Sequence, residues 1–249
     1  MGLRLTVPGA DYESRAIGFT PAVSDGLQGV FFLNESVEKA RRNLVVGRAA
    51  ASVFGAPEVL PGMLRMKAGT NYLQTDIQET AEMTILVVGK CPDTMADNAH
   101  RGVYVSNFGS ASTTAVASYG VGLHVESATR VVHTATRYSN AESTAGTSGA
   151  AGSSAQNPAA LAFLVGRTRD TRTEMNNLTQ ALSTAGNYTF PRYLSQGAMR
   201  IGSNYAASWQ GLSDIGFVAI YNRFITDAER DAMYAQIKGY FSRRFSLTI

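Results

Sequence analysis

The chain has 249 residues and a mass of 26.6 kDa, enough for one all-β or α/β domain to bury roughly 73% of its unfolded surface without a disulfide or a metal. A hydrophobic fraction of 45% with 24 Gly and 7 Pro excludes collagen-like, coiled-coil and wholly disordered chains, while only 16% of residues are charged. Ser, Thr and Asn number 21, 22 and 12, so neutral polar groups must cover much of the surface.

The net charge of +3 is a small surplus. Its densest stretches, Arg41-Arg42, Arg167 to Arg172 and Arg243-Arg244, are too short to track a phosphate backbone, so no nucleic-acid partner is expected. Cys91 is the only cysteine; it excludes an internal disulfide and a Cys-based zinc site and reads as a small buried hydrophobe. The opening residues lack the apolar run of a signal peptide, and no window approaches a membrane span. Synthesis in the cytoplasm and no membrane span are the expectations.

In chain order, short apolar or alternating runs recur between Gly-, Asn- and Ser-rich punctuation, which predicts many strands rather than βαβ units. They cover residues 15–20, 27–33, 49–54, 63–68, 83–90, 102–108, 119–126, 129–134, 160–168, 198–202 and 214–222. In 119–126, Tyr119, Val121, Leu123 and Val125 alternate with Gly120, Gly122, His124 and Glu126, giving one apolar face and one open or polar face. In 214–222 both sets are largely apolar, which predicts a strand covered on both faces.

Helical signal is sparse. Residues 35–42 read as a short helix capped by Asn34. The clear helix spans 226–243: Thr226 and Glu229 have capping-box spacing, and Met233, Tyr234, Ile237, Tyr240 and Phe241 follow as one apolar stripe. It is expected to pack on the sheets. Residues 139–159 contain no large apolar side chain and read as a long inter-strand loop. The organisation is therefore an arm and first strand over 1–26 and one domain over 27–249.

The tail of the chain carries a resemblance. Met199-Arg200-Ile201-Gly202-Ser203, Trp209-Gln210-Gly211, Asp214-Ile215-Gly216, Ile220-Tyr221-Asn222-Arg223 and Thr226-Asp227-Ala228-Glu229-Arg230 follow in an order similar to that of concanavalin A-like (laminin-G-like) jelly-roll domains. Upstream, Asn71-Tyr72-Leu73 before the run starting at Met83 resembles the same family. Phe224-Ile225 and Phe217 depart from it, standing where Ala-Leu and Glu are usual. The resemblance implies an all-β, two-sheet antiparallel jelly-roll β-sandwich with a C-terminal helix. Residues 16–33, Asn43-Leu44-Val45 and Phe54-Gly55-Ala56-Pro57 resemble phage or prophage tail-associated and virion-surface proteins. That resemblance implies a virion-associated module, and trimeric assembly.

The chemistry is mostly negative. There is no nucleophile elbow, His-Glu-x-x-His, phosphate-binding loop or calcium-loop pattern. A glycosidase on this fold would set two carboxylates on one strand face, and no strand reads Glu-x-Asp-x-x-Glu or Glu-x-Asp-x-Glu. A non-catalytic module binding a glycan or bacterial surface polysaccharide is the leading reading; a glycoside hydrolase or lyase is the alternative. For a sugar, Asp93, Asp97, Asn98 and His100 could supply polar groups and Tyr205 or Trp209 an aromatic platform. No cofactor is expected, and calcium at Asp93 and Asp97 lacks support from spacing. Trp209 also reads as a packing residue, and the two aspartates as turn caps. Low charge, 11 Tyr and 11 Phe, and the alternating Phe245, Leu247 and Ile249 suggest self-association through an edge, with the tail folding back on its own sheet as the competing reading.

Overall fold

The structure, a computed structural model, describes residues 19–111, 120–140 and 146–249. In chain order the elements are β1 (Leu27–Phe32), α1 (Val37–Ala40), β2 (Ser52–Phe54), β3 (Glu58–Leu60), β4 (Met63–Lys67), β5 (Tyr72–Gln74) and β6 (Met83–Lys90). They continue with β7 (Val103–Ser106), β8 (Val121–Ser127), β9 (Arg130–Tyr138), β10 (Gly146–Ala151), β11 (Ala162–Arg169), β12 (Arg172–Asn177) and β13 (Leu182–Asn187). The last are β14 (Arg200–Ile201), β15 (Leu212–Tyr221) and α2 (Asp227–Phe245).

The strands form two antiparallel sheets. One runs β13-β12-β11-β6-β15-β4-β3, with β1 also paired to β15; the other runs β10-β9-β8-β7-β14-β5-β2. β15 is long enough to hold two partners end to end on one edge, β4 along residues 212–215 and β1 along 217–221. Strand alternation explains the layering. Ile85 and Val87 of β6, and Ile215, Val218 and Ile220 of β15, meet Leu73, Val105, Leu123, Val125 and Ile201 of the seven-stranded sheet. The opposite set, Leu86, Val88, Phe217 and Ala219, joins Phe163 and Val165 under Met233, Ile237 and Phe241 of α2. The eight-stranded sheet is thus covered on both faces, as the two apolar sets of β15 predict.

The C-terminal helix has the expected capping box. The Thr226 hydroxyl accepts from the Glu229 N–H at 3.3 Å, and the Glu229 carboxylate accepts from the Thr226 N–H at 2.8 Å. The helix continues two residues beyond the expected end, to Phe245, and closes on Ser246 in the left-handed conformation. Beyond it the tail folds back. Ile249 is buried in the cluster beneath α2, and the Tyr234 hydroxyl donates to its carbonyl at 3.1 Å. The alternation of Phe245, Leu247 and Ile249 therefore serves the chain's own sheet, which corrects the expectation of a free edge-pairing tail.

Other departures have local causes. The helix expected over 35–42 spans four residues and is capped by Ser36; the Asn34 side chain instead donates to the Tyr240 hydroxyl at 2.9 Å. Of the strand expected over 15–20, residues 15–18 lie outside the described residues and 19–20 are not in a strand; Phe19 packs its ring on Phe32. The loop expected over 139–159 contains β10, paired with β9 from Gly146↔Tyr138 to Ala151↔His133. β3, β12 and β13 also lie outside the expected strands, and β5 was foreshadowed only by the Asn71-Tyr72-Leu73 resemblance. No helix among the described residues is long and apolar enough to cross a membrane.

Candidate functional site

In the seven-stranded sheet the residues alternating with the core point away from the sandwich. Cross-strand register places Ser52, Gln74, Arg200, Ser106, Gly122 and Thr134 in one row across that outer face, with the Phe54↔Tyr72 pair beside it. The face is not uniform. Ser106, His124, Thr134 and Thr136 are buried, whereas Ser52 and Phe54 are exposed and Gln74 and Arg200 are half-buried. Phe54 is 44% exposed, uncommon for a phenylalanine in a strand facing a packed neighbour.

Arg200 organises the open end. Its Nε donates to Gln74 Oε1 at 2.8 Å and its Nη1 to the Asn204 carbonyl at 2.6 Å. The guanidinium carbon lies 3.5 Å from the Tyr205 ring centroid and 4.8 Å from that of Tyr72. Tyr72 in turn stacks on Phe54, with ring centroids 4.7 Å apart and planes inclined by 1°. The Tyr205 hydroxyl shares its one hydrogen between the Ala198 carbonyl at 3.0 Å and Gln74 Oε1 at 3.2 Å. The result is a rigid row of Phe54, Tyr72, Arg200 and Tyr205, in which stacking and two hydrogen bonds fix the guanidinium.

The residues expected from sequence divide into two groups. Tyr205 belongs to the Arg200 row. Asp93, Asp97, Asn98 and His100 lie on the loop after β6, which is stitched to the segment after Trp209. Gln210 N–H donates to the Asn98 carbonyl at 2.6 Å, Gly211 N–H to the Arg101 carbonyl at 3.0 Å, and Leu212 N–H to Asp93 Oδ2 at 3.4 Å. Asp97 Oδ1 accepts from the Ala99 N–H at 2.9 Å and lies 2.7 Å from His100 Nδ1, contacts that hold its carboxyl below the usual range. Asp93 Oδ1 accepts from the Thr94 N–H at 2.8 Å. Both aspartates thus organise their own loop. Among the described residues, no three His, Cys, Asp or Glu side chains gather to hold a metal ion.

Trp209 has a left-handed backbone (φ 52°) and turns its ring onto His124, at 3.9 Å, and Phe108, at 4.8 Å. Burial, with Arg130 nearby, pushes the His124 imidazole down to about 3, so it is neutral at physiological pH. Cys91 is fully buried and its Sγ donates to the Leu212 carbonyl; burial pushes its thiol up, away from the reactive thiolate. Phe54, Tyr72, Gln74 and Arg200 escaped the reading of the sequence. Arg200 stands inside the stretch that carried the fold resemblance, and β2, β5 and β14 are too short for alternation alone to show which side chains share a face.

This architecture defines a two-sheet antiparallel β-sandwich of the jelly-roll kind with a C-terminal helix. No protein-family model matches the chain, and no curated protein matches it either. Solved structures do. A binding domain of botulinum neurotoxin DC in complex with SialylT is 8% identical with a TM-score of 0.60, over 86% of this chain and 51% of that one. The receptor-binding domain of a botulinum neurotoxin mosaic serotype C/D gives 7% and 0.59, over 85% and 51%. A Trypanosoma rangeli sialidase in complex with sialic acid gives 13% and 0.54, over 87% and 34%. The chain spans about half or a third of the length of these neighbours, and at such identities the likeness shows the fold alone.

Proposed function

We propose that the chain is a non-catalytic recognition module that binds a glycan across the open end of the outer face of the seven-stranded sheet. The observation that carries this reading is the Phe54, Tyr72, Arg200, Tyr205 row. An exposed aromatic face suits the apolar side of a pyranose, and a fixed polar group beside it suits hydroxyl or charged substituents. The neighbours support it as company of the same fold: two are described with a sialyl ligand or sialic acid.

The non-catalytic part rests on the composition of that sheet. Its seven strands contain one carboxylate, Glu126, which is paired with Arg130, whereas the common glycosidase centre, sialidases with their tyrosine nucleophile excepted, uses two. The setting, a phage or virion-surface assembly, belongs to the proposal through the sequence resemblance of residues 16–33 and the low-charge composition. The test is a glycan array probed with the full chain and with Phe54→Ala, followed by a reducing-sugar assay on every hit. Binding that Phe54→Ala weakens at least tenfold, without released sugar, is the expected result. No binding would overturn the reading, and sugar release would turn it into the enzymatic alternative.

A further inference from the structure

We infer that the glycan is acidic and that its carboxylate docks on Arg200; this rests on the glycan reading above and adds the chemical class of the ligand. A guanidinium has five N–H donors. In Arg200, Nε and one Nη1 hydrogen are committed to neutral oxygens of Gln74 and Asn204, and Nη2 donates to none of the described residues. The guanidinium carbon lies over both tyrosine rings, and the uncommitted donors are the Nη hydrogens, the ones a carboxylate engages end-on.

The charge around Arg200 points the same way. Arg65 faces Asp214, Arg167 faces Glu174 and Asp227, Arg192 faces Glu79, and Arg223 faces Glu229. Among the described residues, other arginines without a carboxylate are placed differently: Arg137 is sealed inside the sandwich, where main-chain carbonyls hold it, Arg42 and Arg48 lie exposed, Arg101 donates to Asn98 within its own loop, and Arg169 lies over the Phe224 ring; none lies over two tyrosine rings. Arg200 is half-buried, reaches solvent, and has no carboxylate among the described residues within ion-pair distance. The only carboxylate on the strands of its sheet, Glu126, is committed to Arg130. A positive charge that lies over the Tyr72 and Tyr205 rings and has no counter-ion among the described residues is complementary to a sugar bearing an anion.

The experiment is a titration of the full chain with matched pairs: an acidic oligosaccharide bearing sialic or uronic acid, and its carboxyl-reduced counterpart. The wild type is expected to bind the acidic member at least tenfold more tightly, with affinity falling as salt rises. Arg200→Gln should erase that preference, Arg200→Lys should keep part of it, and Phe54→Ala should weaken both members alike. Equal affinity of the wild type for the two members would overturn the inference and leave the glycan reading standing, as would a preference that survives in a folded Arg200→Gln protein. If Arg200→Gln does not fold, the wild-type pair and Arg200→Lys decide. Binding of neither member to the wild type would remove the glycan reading and this inference together.

Discussion

His133 leaves β9 on the inner face, between the sheets, and is completely buried. It fits because β11 places Gly166 beneath it: a Cβ there would lie 2.4 Å from His133 Nδ1. Gly166→Ala should therefore destabilise the chain by about 1 to 3 kcal/mol through overpacking, read by denaturant unfolding; an unchanged midpoint would place the ring elsewhere. Burial, with Arg192 nearby, pushes the His133 imidazole down to about 3, as burial does for His124. The sign follows from linkage. Below the unfolded imidazole's value of 6.5 the unfolded chain takes up protons that the native chain refuses, so stability falls with pH until the native rings protonate near 3. Each ring should cost about 1.4 kcal/mol per pH unit once below that upper limit. Unfolding at pH 7.5, 6 and 5 checks it: wild type should lose stability steadily below pH 6.5, and His133→Leu should lose less. A flat profile would contradict the buried neutral histidines.

Among the elements, those that carry their own period or cap were legible, and those made by their neighbours were not. The helix announced itself through Thr226, Glu229 and the stripe that buries Met233, Ile237 and Phe241. β15 and β6 announced themselves through large apolar residues on both faces. β10, Gly146–Ala151, carries no large side chain. It is a strand because β9 extends nine residues and offers it an edge, and its smallness has a use, since a Cβ on Gly149 would lie 2.7 Å from Arg137 Nε. β12 has one large apolar residue, Met175, and β13 has only Leu182, so pairing, of β12 with β11 and of β13 with β12, rather than composition forms them. The Arg200 row was hidden for the same reason: four residues from separate short segments meet only through register and one loop. Thr226→Ala should cost roughly 0.5 to 2 kcal/mol, because it leaves the Glu229 N–H without its acceptor. Thermal melts of that variant read the effect; an unchanged melting temperature would mean that packing alone sets the helix start.

Over the whole molecule, the two faces of the sandwich have different uses. The eight-stranded sheet spends its outer face on α2 and the returning tail, which ends with Ile249 buried, so that side supports stability. The seven-stranded sheet carries the exposed Phe54 at its β2 edge and, on the outer face of β14, Arg200, which has no carboxylate partner among the described residues. The proposed recognition surface is the Phe54, Tyr72, Arg200, Tyr205 row at one end of that sheet. The most direct test is an amide NMR titration of the full chain with an acidic oligosaccharide selected on the array. The account predicts that the largest shifts fall on Phe54, Tyr72, Gln74, Arg200 and Tyr205. Saturable shifts confined to residues 93–101 or to α2, with that row unmoved, would contradict it.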